Sequence, residues 1–102
     1  MQRVFVMYKL KPGAKMEEYK KWSREVDQKI TPNQPSVHRF EVYEIKGAEK
    51  GSSPYNIVED IDVESFDKWQ QTLKSKGMKK VVAEWDNYGD GSTVVMVFGE
   101  KI

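Results

Sequence analysis

Residues 93–99, "TVVMVFG", are apolar at almost every position. Successive side chains of a strand point to opposite faces of its sheet. This segment therefore has apolar groups to bury on both faces: Val94, Met96 and Phe98 on one, Val95 and Val97 on the other. The opening segment makes the same demand. In "RVFVMYKL", 3–10, Val4, Val6 and Tyr8 share one parity, and Phe5 and Met7 the other. A chain of 102 residues is a single domain, 1–102, with a core small enough that a partner subunit helps its stability.

What lies between these strands sets the fold class. Lys11-Pro12-Gly13 turns the chain after the first strand. At about 100° per residue, Met16, Tyr19, Trp22, Val26 and Ile30 fall on one face of a helix over 15–30. "TPNQP", 31–35, ends it, because proline donates no backbone bond and restricts the residue before it. Strands are predicted at 36–46 and 55–61, joined by the Gly/Ser/Pro loop "KGAEKGSSP". Asp62 reads as the N-cap of a second helix, striped by Phe66, Trp69 and Leu73. Gly77 interrupts it before a short helical stripe of Met78, Val81, Val82 and Trp85, and "NYGDGS" turns into the last strand. The order β-α-β-β-α-(α)-β is the ferredoxin-like, split βαβ arrangement: α+β, a four-stranded antiparallel sheet with helices on one face.

Such a sheet ordinarily leaves its other face polar. Here that face is apolar on three strands, so the expected partner is a second copy of the chain, packed on the helix-free face in a two-fold homodimer.

Composition narrows the function classes. Net charge is +1 with both signs interspersed, which gives no electrostatic case for nucleic acid or an anionic membrane surface. The most basic stretch, Lys74 to Lys80, reads as a solvated helix end. "YNIVEDI" is acidic where an RNA-binding sheet of this strand order carries its aromatic and basic residues. No cysteine and one histidine leave no Cys-based or His-rich metal site within the chain. The acidic run 59–64 has neither the spacing nor the glycine of a calcium loop. No segment has the length of a membrane helix or a signal-peptide core, and a cytoplasmic protein is the default expectation.

"RVFVMYKLKPG" (3–13), "KWSREVD" (21–27), "PSVHRFEVYEI" (35–45) and "PYNIVEDIDV" (54–63), taken in this order, resemble the REDY-like (HapK-like) family of the dimeric α+β barrel superfamily. The resemblance covers most of the chain and weakens after about residue 74. It implies a two-subunit barrel of back-to-back sheets, a small-molecule cavity and a place in secondary metabolism. Other branches of the superfamily are cofactor-free monooxygenases, polyketide cyclases and haem-degrading enzymes. Cyclases that work through histidine place it on the first strand or later helices, where this chain has none. The haem-degrading pattern needs a helical histidine, also absent.

Among the residues themselves, His38 is the side chain suited to proton transfer near neutrality. By strict alternation it shares the Phe40 and Val42 face; the bland alternative is a histidine that packs or sits at a rim. Asp27 lies on the flank of the first helix's buried stripe, beside Ser23, near the end where the macrodipole disfavours its charge. Its bland alternative is a surface pair with Arg24 or a bond to Thr31. Topology brings the helix end near the start of strand 2, so Asp27 and His38 are expected to form an acid–base or ligand-orienting pair. Tyr8, Trp22, Phe40, Trp69 and Trp85 fall on inward stripes and suit the walls of an aromatic-binding cavity as well as ordinary core. The plain reading of the acidic run is a strand end and N-cap; Glu59, which shares parity with Ile57 and Ile61, is a weak site candidate within it, placed where it could reach an interior. The expected function is binding of a small aromatic or heteroaromatic secondary metabolite, with or without cyclase, dehydratase or hydrolase chemistry, and without metal or organic cofactor. The alternatives are a non-catalytic binding or stabilising protein and a cofactor-free monooxygenase.

Overall fold

The computed structural model describes residues 1–102. Four strands, β1 (Gln2–Tyr8), β2 (Val37–Glu44), β3 (Ile57–Val63) and β4 (Val95–Gly99), form one sheet in the order β2-β3-β1-β4. Every neighbouring pair is antiparallel. The helices are α1 (Met16–Trp22), a π-helical turn (Ser23–Asp27) running into α2 (Gln28–Ile30), then α3 (Phe66–Leu73) and α4 (Lys79–Trp85). This is the expected ferredoxin-like α+β arrangement.

The two central strands set which face is buried. On β3, Ile57, Glu59, Ile61 and Val63 are buried and the residues between them half-buried. On β1 the buried set is Val4, Val6 and Tyr8. Val4 pairs with Ile61 and Val6 with Glu59, so these side chains line one face. Tyr19 and Trp22 of α1, Trp69 of α3, and Met78 and Val81 around α4 complete the core over it.

Three local features depart from simple periodicity. First, the helix over 15–30 contains a π turn. The Gln28 N–H reaches back five residues to the Ser23 carbonyl, and one extra residue per turn rotates the following side chains by roughly 100°. Asp27 is thereby buried (3% exposed) while Val26, expected on the stripe, is half-buried. Second, β2 has a bulge. Val37 pairs with Val63 and Arg39 with the adjacent Asp62, leaving His38 as the unpaired extra residue. Val37 therefore shares the helix-side face with Phe40, contrary to strict alternation. Third, Asp62 is not a helix cap. β3 extends to Val63, and Ser65 caps α3 by accepting the Lys68 N–H at 3.2 Å. Asp62 instead accepts from Arg3 (3.0 Å) and Arg39 (2.9 Å) on the other face of the sheet.

That other face bears no helix. Phe5, Met7, Val58, Val95 and Val97 form its apolar part, and Tyr43 is half exposed beside a cluster of Arg3, Arg39, Glu41, Asp60 and Asp62. Phe98 is on the helix side, stacked on Phe66 at 4.2 Å. No helix is long and apolar enough to cross a membrane.

Candidate functional site

A cavity of about 180 Å³ lies between the sheet and the helices. Of its fourteen lining side chains eleven are hydrophobic; the remaining three are Asp27, Thr31 and Glu59. β1 supplies Val6 and Tyr8, β2 Phe40, β3 Glu59, and α3 and α4 supply Trp69 and Trp85. Val82 lines the cavity and is also exposed, which marks its rim.

Glu59 is the polar centre. It sits mid-strand on β3, where alternation turns its side chain toward the helices, and it is 7% exposed. Its Oε2 accepts from the Tyr8 hydroxyl at 2.7 Å. Tyr8 and Tyr19 hydroxyls lie 2.6 Å apart. Since Tyr8 spends its one proton on Glu59, Tyr19 donates to Tyr8 and the three groups form a directed chain. Burial raises the Glu59 pKa to about 8, helped by the charge of Asp27 and opposed by the Tyr8 hydrogen bond. Burial also raises Tyr8 and Tyr19 above the usual phenol range, with Glu59 adding to both.

Asp27 enters the cavity from the π turn. Its Oδ1 accepts from Thr31 Oγ1 at 2.6 Å, one helical turn on. Burial raises its pKa to about 6, with the Thr31 bond acting in the opposite direction. Both carboxyls therefore hold a proton more tightly than free carboxyls do, and they titrate as a pair. Two interacting buried carboxyls give up their protons in separate steps, so the pair can hold one proton and act as acid and base together.

Six of the residues singled out in the sequence line this cavity: Tyr8, Asp27, Phe40, Glu59, Trp69 and Trp85. Trp22 and Ser23 are buried but lie outside it. Trp22 packs against Tyr88 with centroids 5.5 Å apart and donates from Nε1 to Glu84 at 2.9 Å; Ser23 Oγ accepts from Gln28 at 3.0 Å. The expected Asp27–His38 pair does not form in the chain. His38 is the bulge residue of an edge strand, exposed and without a hydrogen bond, and it is absent from the cavity wall. Asp27 bonds to Thr31 instead and is electrostatically linked to Glu59. Thr31 and Met78 also line the cavity; the sequence placed Thr31 as a bonding partner of Asp27 and Met78 on a helical stripe, and neither as a site residue.

The neighbours of the cavity hold it open. Trp85 meets Tyr8 edge to face at 5.0 Å. A Cβ on Gly89 would lie 2.1 Å from the Trp85 ring, so only glycine lets that indole lie where it does. Nowhere do three His, Asp or Glu side chains come together as a metal site would require.

Fold and cavity together define a ferredoxin-like α+β domain with an internal apolar pocket under one face of its sheet. The chain belongs to the family described as REDY-like protein HapK, which matches residues 2–102. HapK from Hahella chejuensis superposes with a TM-score of 0.82 at 22% identity, covering 100% of this chain and 93% of that one. An antibiotic biosynthesis monooxygenase gives 0.73 at 14% identity, covering 100% and 99%. A dimeric protein of ferredoxin-like fold from Bacteroides fragilis gives 0.71 at 14%, covering 98% and 95%. At these identities the likeness carries the fold alone. None of the curated protein sequences matches the chain.

Proposed function

We propose that this protein binds a small aromatic or heteroaromatic metabolite of a biosynthetic pathway in the Tyr8–Asp27–Glu59 cavity, and moves protons on it without a metal or organic cofactor. The observation that carries this reading is the pair of buried carboxyls in one otherwise apolar cavity. The pair holds one proton near neutrality, and Asp27 and Glu59 serve as its acid and base. Tyr8 and Tyr19 fix the Glu59 carboxyl through their directed hydroxyl chain, and Thr31 fixes Asp27. Such a pair suits enolisation, ring closure with loss of water, or hydrolysis, all of which need a proton given at one atom and taken at another. The apolar walls and the volume match a ligand of one or two rings; about 150 Å³ is enough for benzene.

The relatives support the reading in its coarser form, since the solved neighbours include a protein described as an antibiotic biosynthesis monooxygenase. Neighbours described as dimeric support a homodimer, with the helix-free sheet face as the contact between copies.

Native mass spectrometry of protein taken from its own cells tests the proposal, reporting dimer mass and any ligand that co-purifies. Turnover of that ligand is expected to drop by about 100-fold or more in Glu59→Gln, the usual scale for removing a general acid, while binding persists. Turnover unchanged in Glu59→Gln would overturn the acid–base assignment. Tight binding with no turnover by the native protein would leave a non-catalytic binding protein.

A further inference from the structure

Resting on the reading of the cavity as a ligand site, the charge of its occupant can be argued from the same walls. No Lys, Arg or His lines the cavity. Asp27 and Glu59 each have one oxygen engaged by the protein, Oδ1 by Thr31 and Oε2 by Tyr8; the second oxygen of each accepts no hydrogen bond. Trp69 lines the same cavity with its ring and is 2% exposed. The cavity thus holds two carboxyls without a cation. A carboxylate largely shielded from water and without a counter-charge is costly.

We infer that the ligand carries a planar cationic nitrogen group, of the amidine or protonated amino-heterocycle kind, whose N–H donors meet Asp27 and Glu59 while its ring lies among Tyr8, Trp69 and Trp85. A planar N–H fork fits paired carboxylate oxygens, and aromatic faces attract the same charge. An anionic ligand would add repulsion to a site that already holds one negative charge. A neutral ring would leave that charge uncompensated.

Benzamidine, benzamide and benzoate are single-ring probes of nearly the same shape with charges of +1, 0 and −1. Titrated against the full-length protein by calorimetry at pH 7, benzamidine is expected to bind tightest, benzamide about tenfold or more weaker, and benzoate not at all. Glu59 faces Tyr8 from β1, Tyr19 from α1 and Asp27 from the π turn. A bound cation favours its ionised form, so benzamidine affinity rises from pH 6 to about 8 and levels off above. In Glu59→Gln, which keeps shape and the Tyr8 hydrogen bond, this rise disappears between pH 7 and 9. Asp27→Asn weakens benzamidine about tenfold or more at all these pH values.

Benzamide or benzoate binding as well as benzamidine would overturn the charge inference and leave the cavity reading intact. Binding of none of the three would overturn both. A benzamidine affinity that ignores pH, or survives both substitutions, would place the probe outside this site and overturn the inference.

Discussion

A carboxyl on the buried parity of a central strand gives up either its charge or its apolar surroundings. Glu59 gives up its charge: it holds its proton up to about pH 8, whereas in the unfolded chain it releases it near 4.5. Between those values the native state binds more protons than the unfolded one, so stability falls as pH rises, most of it lost by about pH 8. Asp27 adds a loss between its ordinary 3.8 and about 6. The chain is therefore expected to be more stable at pH 5 than at pH 9, by on the order of 5 kcal/mol. Urea midpoints at the two pH values measure this directly, and Glu59→Gln should remove most of the slope between pH 6 and 8. A midpoint that climbs from pH 5 to 9 in the native protein would show that Glu59 is not buried as a neutral acid. This residue was only partly legible in the sequence: its parity with Ile57 and Ile61 pointed inward, but Val58 on the other parity and the acidic neighbours Asp60 and Asp62 made a solvated strand end the plainer reading. His38 was legible as the chain's one histidine, but its direction depended on a bulge that "SVHRFE" does not announce.

At the scale of elements, two one-residue insertions decide what the cavity contains. The π turn at Ser23–Asp27 swings Asp27 inward, and the bulge at His38 returns Val37 and Phe40 to one face while turning the imidazole out. Both break the constant period on which a helix or strand reading rests. The inward Asp27 is met by Thr31 at 2.6 Å, one helical turn on, and the outward Arg39 by Asp60 and Asp62 of the neighbouring strand. Sequence order alone therefore placed the helix and the strand but not the facing of the helix's later residues or of the strand's first ones. The turn after α4 makes a comparable contribution. Gly89 leaves room for the Trp85 ring, which forms cavity wall against Tyr8. Gly89→Ala should push that indole into the cavity, destabilising the fold by about 1–3 kcal/mol and weakening benzamidine at least as much as it weakens stability. Urea unfolding and calorimetry on the same preparation check the pair of effects. A folded Gly89→Ala protein with unchanged affinity would show that Trp85 does not shape the site.

Over the whole molecule, the same sheet serves two burial demands. Its helix side carries the cavity; its bare side carries Phe5, Met7, Val58, Val95 and Val97. Two-sided apolar strands made this division readable from the sequence, since no helix was left over to cover the second face. What the pattern did not show is that the charged residues of that face satisfy one another. Arg39 donates to Asp60 and Asp62, both at 2.9 Å, and Arg3 to Asp62 at 3.0 Å; Arg39 in turn holds the Asp62 carboxyl below its usual range. A self-paired network can enter an interface with less desolvation cost than loose charges, and its geometry restricts the register in which two copies meet. Val97, 45% exposed in the single chain, is the sharpest place to test the arrangement. In a two-fold dimer each substitution appears twice, so Val97→Asp brings two unpaired carboxylates to one apolar contact, a cost of several kcal/mol. Sedimentation at micromolar concentration should report twice 11.9 kDa for the native protein and 11.9 kDa for the variant. Because the cavity is on the opposite side of the sheet, the monomeric variant should still bind benzamidine. A native protein that sediments as a monomer would remove the dimer; a monomeric variant that has lost benzamidine binding would show that the second copy shapes the cavity across the sheet.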